Sequence, residues 1–178
     1  MRYISLDAST TAIGWSIFED DDLVSYGKLT PDEFCDGWRE RIVNFIPKLN
    51  SIVKEYKPQE AYIEDVPLIA SKSKLTLVQL GAVQGMLLGV LYSNTINVNF
   101  IRVGAWRKKI GLFDGTKEGK ERDILKQHSI EKANELFGLD LNCVFTKSGK
   151  YNGSKSDDDI SDSILIFAST REKYCMGV

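Results

Sequence analysis

The chain begins Arg2-Tyr3-Ile4-Ser5-Leu6-Asp7, passes through the small polar turn Ala8-Ser9-Thr10-Thr11, and resumes as Ile13-Gly14-Trp15-Ser16-Ile17-Phe18. Both apolar runs have the length and the β-branched and aromatic content of buried strands. The acidic run Glu19 to Asp22 makes a solvated hairpin tip, and Leu23 to Leu29 returns as a third strand. The opening is therefore expected to be a meander of three antiparallel strands. Its first strand ends on an acid, Asp7, and that pattern recurs downstream.

From Asp32 to Tyr56 the spacing of Phe34, Trp38, Ile42, Phe45, Ile46, Leu49, Ile52 and Val53 predicts a helix, which Pro47 should kink or split. Ala61-Tyr62-Ile63-Glu64-Asp65-Val66 reads as a short strand that again finishes on an acid. A helix over Lys74 to Ser93 follows, then a strand over Val98 to Val103, the block Trp106 to Ile110 and a loop through Gly119. A helix from Lys120 to Phe137, a polar loop from Asp140 to Asp157 and a closing helix complete the chain. Three strands, helix, strand, helix, strand and helices is an α/β order with a mixed five-stranded sheet, three strands antiparallel and the rest parallel. At 178 residues and 43% hydrophobic content, the chain suits one domain over residues 1–178.

Composition narrows the function classes. There is no unbroken run of 18 or more apolar residues and no charged, apolar leader pattern at the start, so a cytoplasmic location without a membrane is expected. Cys35, Cys143 and Cys175 are odd in number, widely spaced and unaccompanied by a histidine cluster, which argues against a disulfide framework or a zinc site. His128, the one histidine, lies within a helix far from the acid motifs and reads as structural. The formal charge of −2 hides a basic belt: Arg102 to Lys126 holds eight Lys or Arg against four Asp or Glu, and Lys147, Lys150 and Lys155 follow. Such clusters supply phosphate contacts. Arg107, Lys108, Lys109 and Lys120 are the candidate residues for such contacts with a nucleic acid, and the Gly, Ser and Lys-rich segment 147–156 is expected to be a mobile loop that orders on binding.

The last acid run, Ser156-Asp157-Asp158-Asp159-Ile160-Ser161-Asp162-Ser163-Ile164, is an acidic loop entering an apolar helix. Asp159 and Asp162, at i and i+3, project from one helical face; Asp158 with Asp162, at i and i+4, can do the same, so the register stays open. Taken alone, aspartates in a first turn cap orphan N–H groups. The odds change because Asp7 and Glu64 both end strands. If those strands are parallel neighbours, their carboxylates share one sheet edge, which the closing helix could cover. Asp7, Glu64, Asp159 and Asp162 would then form a cluster that needs cations to offset its repulsion, and an all-oxygen donor set points to Mg²⁺ or Mn²⁺.

The order and context of Leu6-Asp7, Ile63-Glu64 and Asp159-Ile160-Ser161-Asp162-Ser163-Ile164 resemble the RuvC-type Holliday junction resolvases of the RNase H-like nuclease superfamily. Leu80-Gly81-Ala82-Val83-Gln84-Gly85 resembles the family's Leu-Gly-x-x-x-Gly helix, and Thr11-Ala12-Ile13-Gly14-Trp15 its Thr-Gly-Trp/Tyr segment. Trp106-Arg107-Lys108-Lys109-Ile110-Gly111, followed by Lys120, is similar to the basic segment of the short bacteriophage-type members. The resemblance implies an RNase H-like fold, a homodimer, and two Mg²⁺ ions per active site for which Mn²⁺ can substitute. It implies catalytic and metal roles for Asp7, Glu64, Asp159 and Asp162, with Asp7 bridging, and cleavage of four-way junctions and other branched DNA to leave 5′ phosphate and 3′ hydroxyl ends.

Two departures bear on cut-site preference. Asp7-Ala8-Ser9 stands where bacterial members often have Asp-Pro-Gly, and Pro67 follows Glu64 where they carry an aromatic. A module that binds junctions without cutting and an RNA-processing nuclease of the same fold are the alternatives; an actin-like ATPase would need a second lobe. Gly81, Gly85 and Gly89 recur every four positions on one helical face, for tight packing on the chain's own sheet or for a helix-to-helix dimer contact.

Overall fold

The structure is a computed structural model describing residues 1–65, 73–113 and 121–175. Strands β1 (Arg2–Ala8), β2 (Ile13–Glu19) and β3 (Asp22–Leu29) form the meander, with Asp7 opposite Gly14 and Ile13 opposite Leu29. Helix α1 (Trp38–Tyr56) leads to β4 (Glu60–Asp65), α2 (Lys74–Ser93) to β5 (Asn97–Arg102). Helices α3 (Val103–Ile110), α4 (Arg122–Phe137) and α5 (Asp158–Ala168) follow. The sheet order is β3-β2-β1-β4-β5; β4 runs parallel to both β1 and β5, while the first three strands are antiparallel. This is the mixed five-stranded sheet that the sequence predicts.

Strand alternation sorts side chains between two cores. Ile4, Leu6, Ala61 and Ile63 face α1 and α2, meeting Phe45, Leu49, Val83, Leu87 and Leu91. On the opposite face Tyr3, Phe18 and Tyr62 meet Phe167 of α5, with Phe18 and Phe167 stacked at 4.0 Å. Nearer the acidic end of α5, the matching β1 and β2 positions become small: Ser5 pairs with Ser16, and Asp7 with Gly14. Large residues under one end of α5 and small ones under the other let its first turn descend onto the sheet. A Cβ at Gly14 would overlap the carbonyl group of Asp159, so only glycine permits this approach. Every residue of α5 except Asp159 is buried.

Three local expectations differ from the structure. Helix α1 starts at Trp38 rather than Asp32, because the Glu40 carboxylate accepts from the backbone N–H groups of Asp36 (3.0 Å) and Gly37 (3.2 Å) and fixes the helix start there. Pro47 is accommodated within one continuous helix. The segment 147–156 belongs to a hydrogen-bonded hairpin, with Phe145 bridged to Tyr151. Helix α2 is long and apolar enough to cross a membrane by length and composition, a test the core helix of a globular protein can also pass. One side, Val83, Leu87, Val90 and Leu91, is buried. The other, Val78, Gly81, Gly85, Gly89 and Tyr92, is exposed, and a Cβ at any of the three glycines would meet open space. The glycine stripe therefore does not serve packing on the chain's own sheet.

Candidate active site

Leu6 of β1 lies beside Ile63 of β4 in parallel register, so the next residues, Asp7 and Glu64, emerge together at the carboxyl edge, on the face covered by α5. Helix α5 brings Asp159 and Asp162 over that edge. The four carboxylates, with Asp158, line one cleft of about 830 Å³ whose other walls include Lys28, Arg107, Arg122, Lys126, Gly153 and Ser154.

Burial and mutual repulsion dominate the electrostatics. Asp7 is held well above the usual carboxylate range, first by desolvation and then by the charges of Glu64, Asp162 and Asp159, against a smaller opposing effect of Lys126. Desolvation and then Asp162 raise Glu64 to about 7, although the Trp106 indole N–H donates to its Oε2 at 2.9 Å and Arg107 lowers it. Asp162 is also raised, by burial, despite Arg107, the Ser129 hydroxyl and Lys126. Like charges in a desolvated cleft favour binding a cation or taking up protons.

Basic side chains from three elements meet these acids. Lys28 of β3 donates to the Ser156 carbonyl at 2.9 Å and stands 3.9 Å from Asp159 Oδ2. Arg107 Nη2 is 3.6 Å from Asp162 Oδ2, and Lys126 pairs with Asp158. Asp158 also accepts from the Tyr151 hydroxyl at 2.7 Å, and burial above all raises that phenol to about 12, so it stays a donor at neutral pH. Asp158, with 2% of its side chain exposed, is thus saturated by Lys126 and Tyr151, whereas Asp159 retains 24%. The charges that raise Asp7 come from Glu64, Asp162 and Asp159. Both aspartates line the cleft, Asp158 tied to Lys126 and Tyr151 and Asp159 beside Lys28. Among the described residues, no three acid, histidine or cysteine side chains are drawn close enough together to ligate one ion. The donor chemistry nonetheless fits a hard divalent cation, being carboxylate oxygen throughout.

The remaining candidates separate. Arg107, a candidate DNA-binding residue, turns into the cleft; Lys108 and Lys109 are exposed on α3; Lys120, like Pro67, lies outside the described residues. His128 lines a separate shallow depression with Gly111, Leu112, Glu131, Lys132 and Glu135. Lys28 and Lys126 were not singled out from sequence. The Arg122, Lys126, Ser129 spacing on α4 was the available signal for Lys126, since i, i+4 and i+7 share a face; Lys28, on a strand far from any acid motif, gave none.

No family model matches the chain. The crossover junction endodeoxyribonuclease RuvC of Lawsonia intracellularis (strain PHE/MN1-00) is 31% identical over 87 residues, 46% of this chain and 49% of that protein. The chain thus spans about half the length of the curated relative it matches. Among solved structures, T. thermophilus RuvC in complex with Holliday junction substrate superposes with a TM-score of 0.66 at 11% identity, over 100% of this chain and 99% of that one. The yeast mitochondrial Holliday junction resolvase gives 0.53 at 12% identity, over 94% and 76%. The Fowlpox virus resolvase, solved with Holliday junction DNA, gives 0.50 at 15% identity, over 94% and 96%.

Proposed function

On the RNase H-like fold of the RuvC-type Holliday junction resolvases, which this chain shares, we propose a metal-dependent, structure-selective endonuclease that cleaves four-way junctions and related branched DNA. The observation that carries this reading is the convergence of Asp7, Glu64, Asp159 and Asp162 on one cleft beside Arg107 and Lys126. A protein that merely bound DNA would gain nothing from aiming desolvated carboxylates at a phosphate, since each repels it.

Asp7, Glu64, Asp159 and Asp162 would together hold two Mg²⁺ ions, with Mn²⁺ as an alternative. Bound there, the ions would activate a water and neutralise charge on the scissile phosphate and leaving oxygen. The chain's own groups do the rest. Trp106 orients Glu64 through its indole N–H, and Ser129 anchors Asp162. Lys126 and Arg107 supply fixed positive charge where negative charge grows. Lys108 and Lys109 would contact the backbone further along the duplex, and Lys120 is a further candidate.

Paired cuts across a junction require two active sites. The exposed α2 face of Val78, Gly81, Gly85, Gly89 and Tyr92 is our candidate for a homodimer interface, because side-chain-free positions admit a second helix closely. Labelled four-way junction, splayed duplex and linear duplex, incubated with Mg²⁺, Mn²⁺ or EDTA, test the activity. Metal-dependent symmetric nicks at the junction are expected. Absence of cutting on every branched substrate with both metals would refute the reading.

A further inference from the structure

The segment between α4 and α5 is a braced hairpin. The Thr146 N–H donates to the Lys150 carbonyl at 2.7 Å and that of Gly149 to Thr146 at 2.9 Å, with Gly149 at φ 79°, where glycine is favoured. Below this turn the Asn152 N–H donates to the Val144 carbonyl at 2.8 Å, and the Val144 N–H to Ser156 Oγ at 2.9 Å. The base of the hairpin belongs to the cleft: Tyr151 donates to Asp158, and Gly153 and Ser154 line the wall. Near its tip Phe145 is 47% exposed, its ring edge-on to Tyr151 at a centroid distance of 6.1 Å. Lys147 and Lys150 are exposed beside it.

A large apolar ring held out in water, on a strand fixed by hydrogen bonds and flanked by ammonium groups, has the chemistry of a stacking platform. Nucleobases present π-faces to the ring, while the lysines attract the phosphates on either side. The connection through Tyr151 to Asp158 ties the platform to the acids. We propose that Phe145 is a base-stacking residue, receiving an unpaired or splayed nucleobase at the branch point while the adjoining backbone lies in the cleft. Lys147 and Lys150 then contact neighbouring phosphates. The inference rests on the branched-DNA nuclease reading and adds to it a site that distinguishes open from fully paired DNA.

Fluorescence anisotropy of the full chain in EDTA tests it, using a labelled four-way junction, a single-stranded oligonucleotide and a linear duplex. Phe145→Ala should weaken binding to the junction and the single strand about tenfold, leaving the linear duplex and the salt dependence unchanged; Phe145→Trp should bind as wild type does. Abasic sites at the branch point should weaken wild type by a similar factor and leave Phe145→Ala no worse. Equal loss on all three DNAs, no loss on junction and single strand, additive effects of the abasic sites and Phe145→Ala, or Phe145→Trp behaving like Phe145→Ala would each overturn the assignment. Wild type that cuts junctions while Phe145→Ala binds identically would sink the stacking role alone. Wild type that neither prefers nor cuts junctions, with Phe145→Ala still losing the single strand, would sink the nuclease reading and keep the stacking site.

Discussion

Replacing Glu64 by Gln should stabilise the metal-free protein while abolishing its cleavage activity. The two side chains are nearly isosteric, and the amide oxygen can still accept the Trp106 indole N–H that now reaches Oε2 at 2.9 Å. What changes is charge. Burial and Asp162 raise Glu64 from 4.5 to about 7, so the group is destabilising when ionised. Below the unfolded value it is protonated in both states and contributes no penalty. As pH rises from there, the unfolded chain ionises first, and wild type loses up to about 1.4 kcal/mol per pH unit until the folded group also ionises near 7.

The interval amounts to about 3 kcal/mol above the folded value, or roughly 6–12 °C in Tm for a chain of this size. Removing the charge also relieves Asp7, which acts in the same direction. Urea or thermal unfolding in EDTA should therefore show the variant more stable at about pH 8, with the gain vanishing at about pH 4. Added Mg²⁺ or Mn²⁺ should reverse the order, because a ligand that binds only the folded wild type stabilises it by mass action. A variant less stable than wild type at the higher pH, or a gain independent of pH, would refute the electrostatic account of the cleft.

Four further substitutions probe other parts of the molecule. Gly14→Ala should push the first turn of α5 off the sheet by on the order of 1 Å, lowering stability by about 1–3 kcal/mol and cleavage about 100-fold; wild-type rates on junction DNA would show that the close approach to Asp159 is not needed. Gly85→Phe meets open space within one chain, so it should leave the circular dichroism spectrum of the fold unchanged while light scattering reports a monomer; an unchanged mass would remove α2 from the dimer proposal. Asp159→Asn should abolish cutting and keep junction binding, whereas Asp158→Asn should chiefly lower Tm by unbalancing Lys126. The reverse pattern would exchange their roles.

The fold was legible because strand alternation and turn chemistry act locally: Leu6 and Ile63 mark buried strand positions, and the acids that follow them inherit the opposite face. Closure of the site depends on tertiary details that local pattern does not carry. Glu40 sets the start of α1 through two backbone N–H groups, and that competition with apolar spacing was invisible to periodicity. Lys28 reaches the site because the outermost strand of the meander runs beside α5, and Lys126 because α4 packs over it. Arg107 was identified as cationic, but its place beside Asp162 follows from the packing of α3 at the cleft, where Trp106 meets Glu64.

These misses share a physical cause. Charge compensation in a desolvated cleft is recruited from whatever elements the fold brings near, so sequence motifs record the acids and leave out their counterions. The acid run itself is divided by the same logic. Asp159 and Asp162 face Asp7 and Glu64, while Asp158 is held by Lys126 and Tyr151 on the side of the hairpin that carries Phe145. The start of α5 thus lines the cleft with three acids, one of which, Asp158, also supports its wall. Three consecutive aspartates serve a purpose beyond capping a helix: Asp157 ties back the loop through Asn142, Asp158 fixes the hairpin, and Asp159 is left open to the cleft.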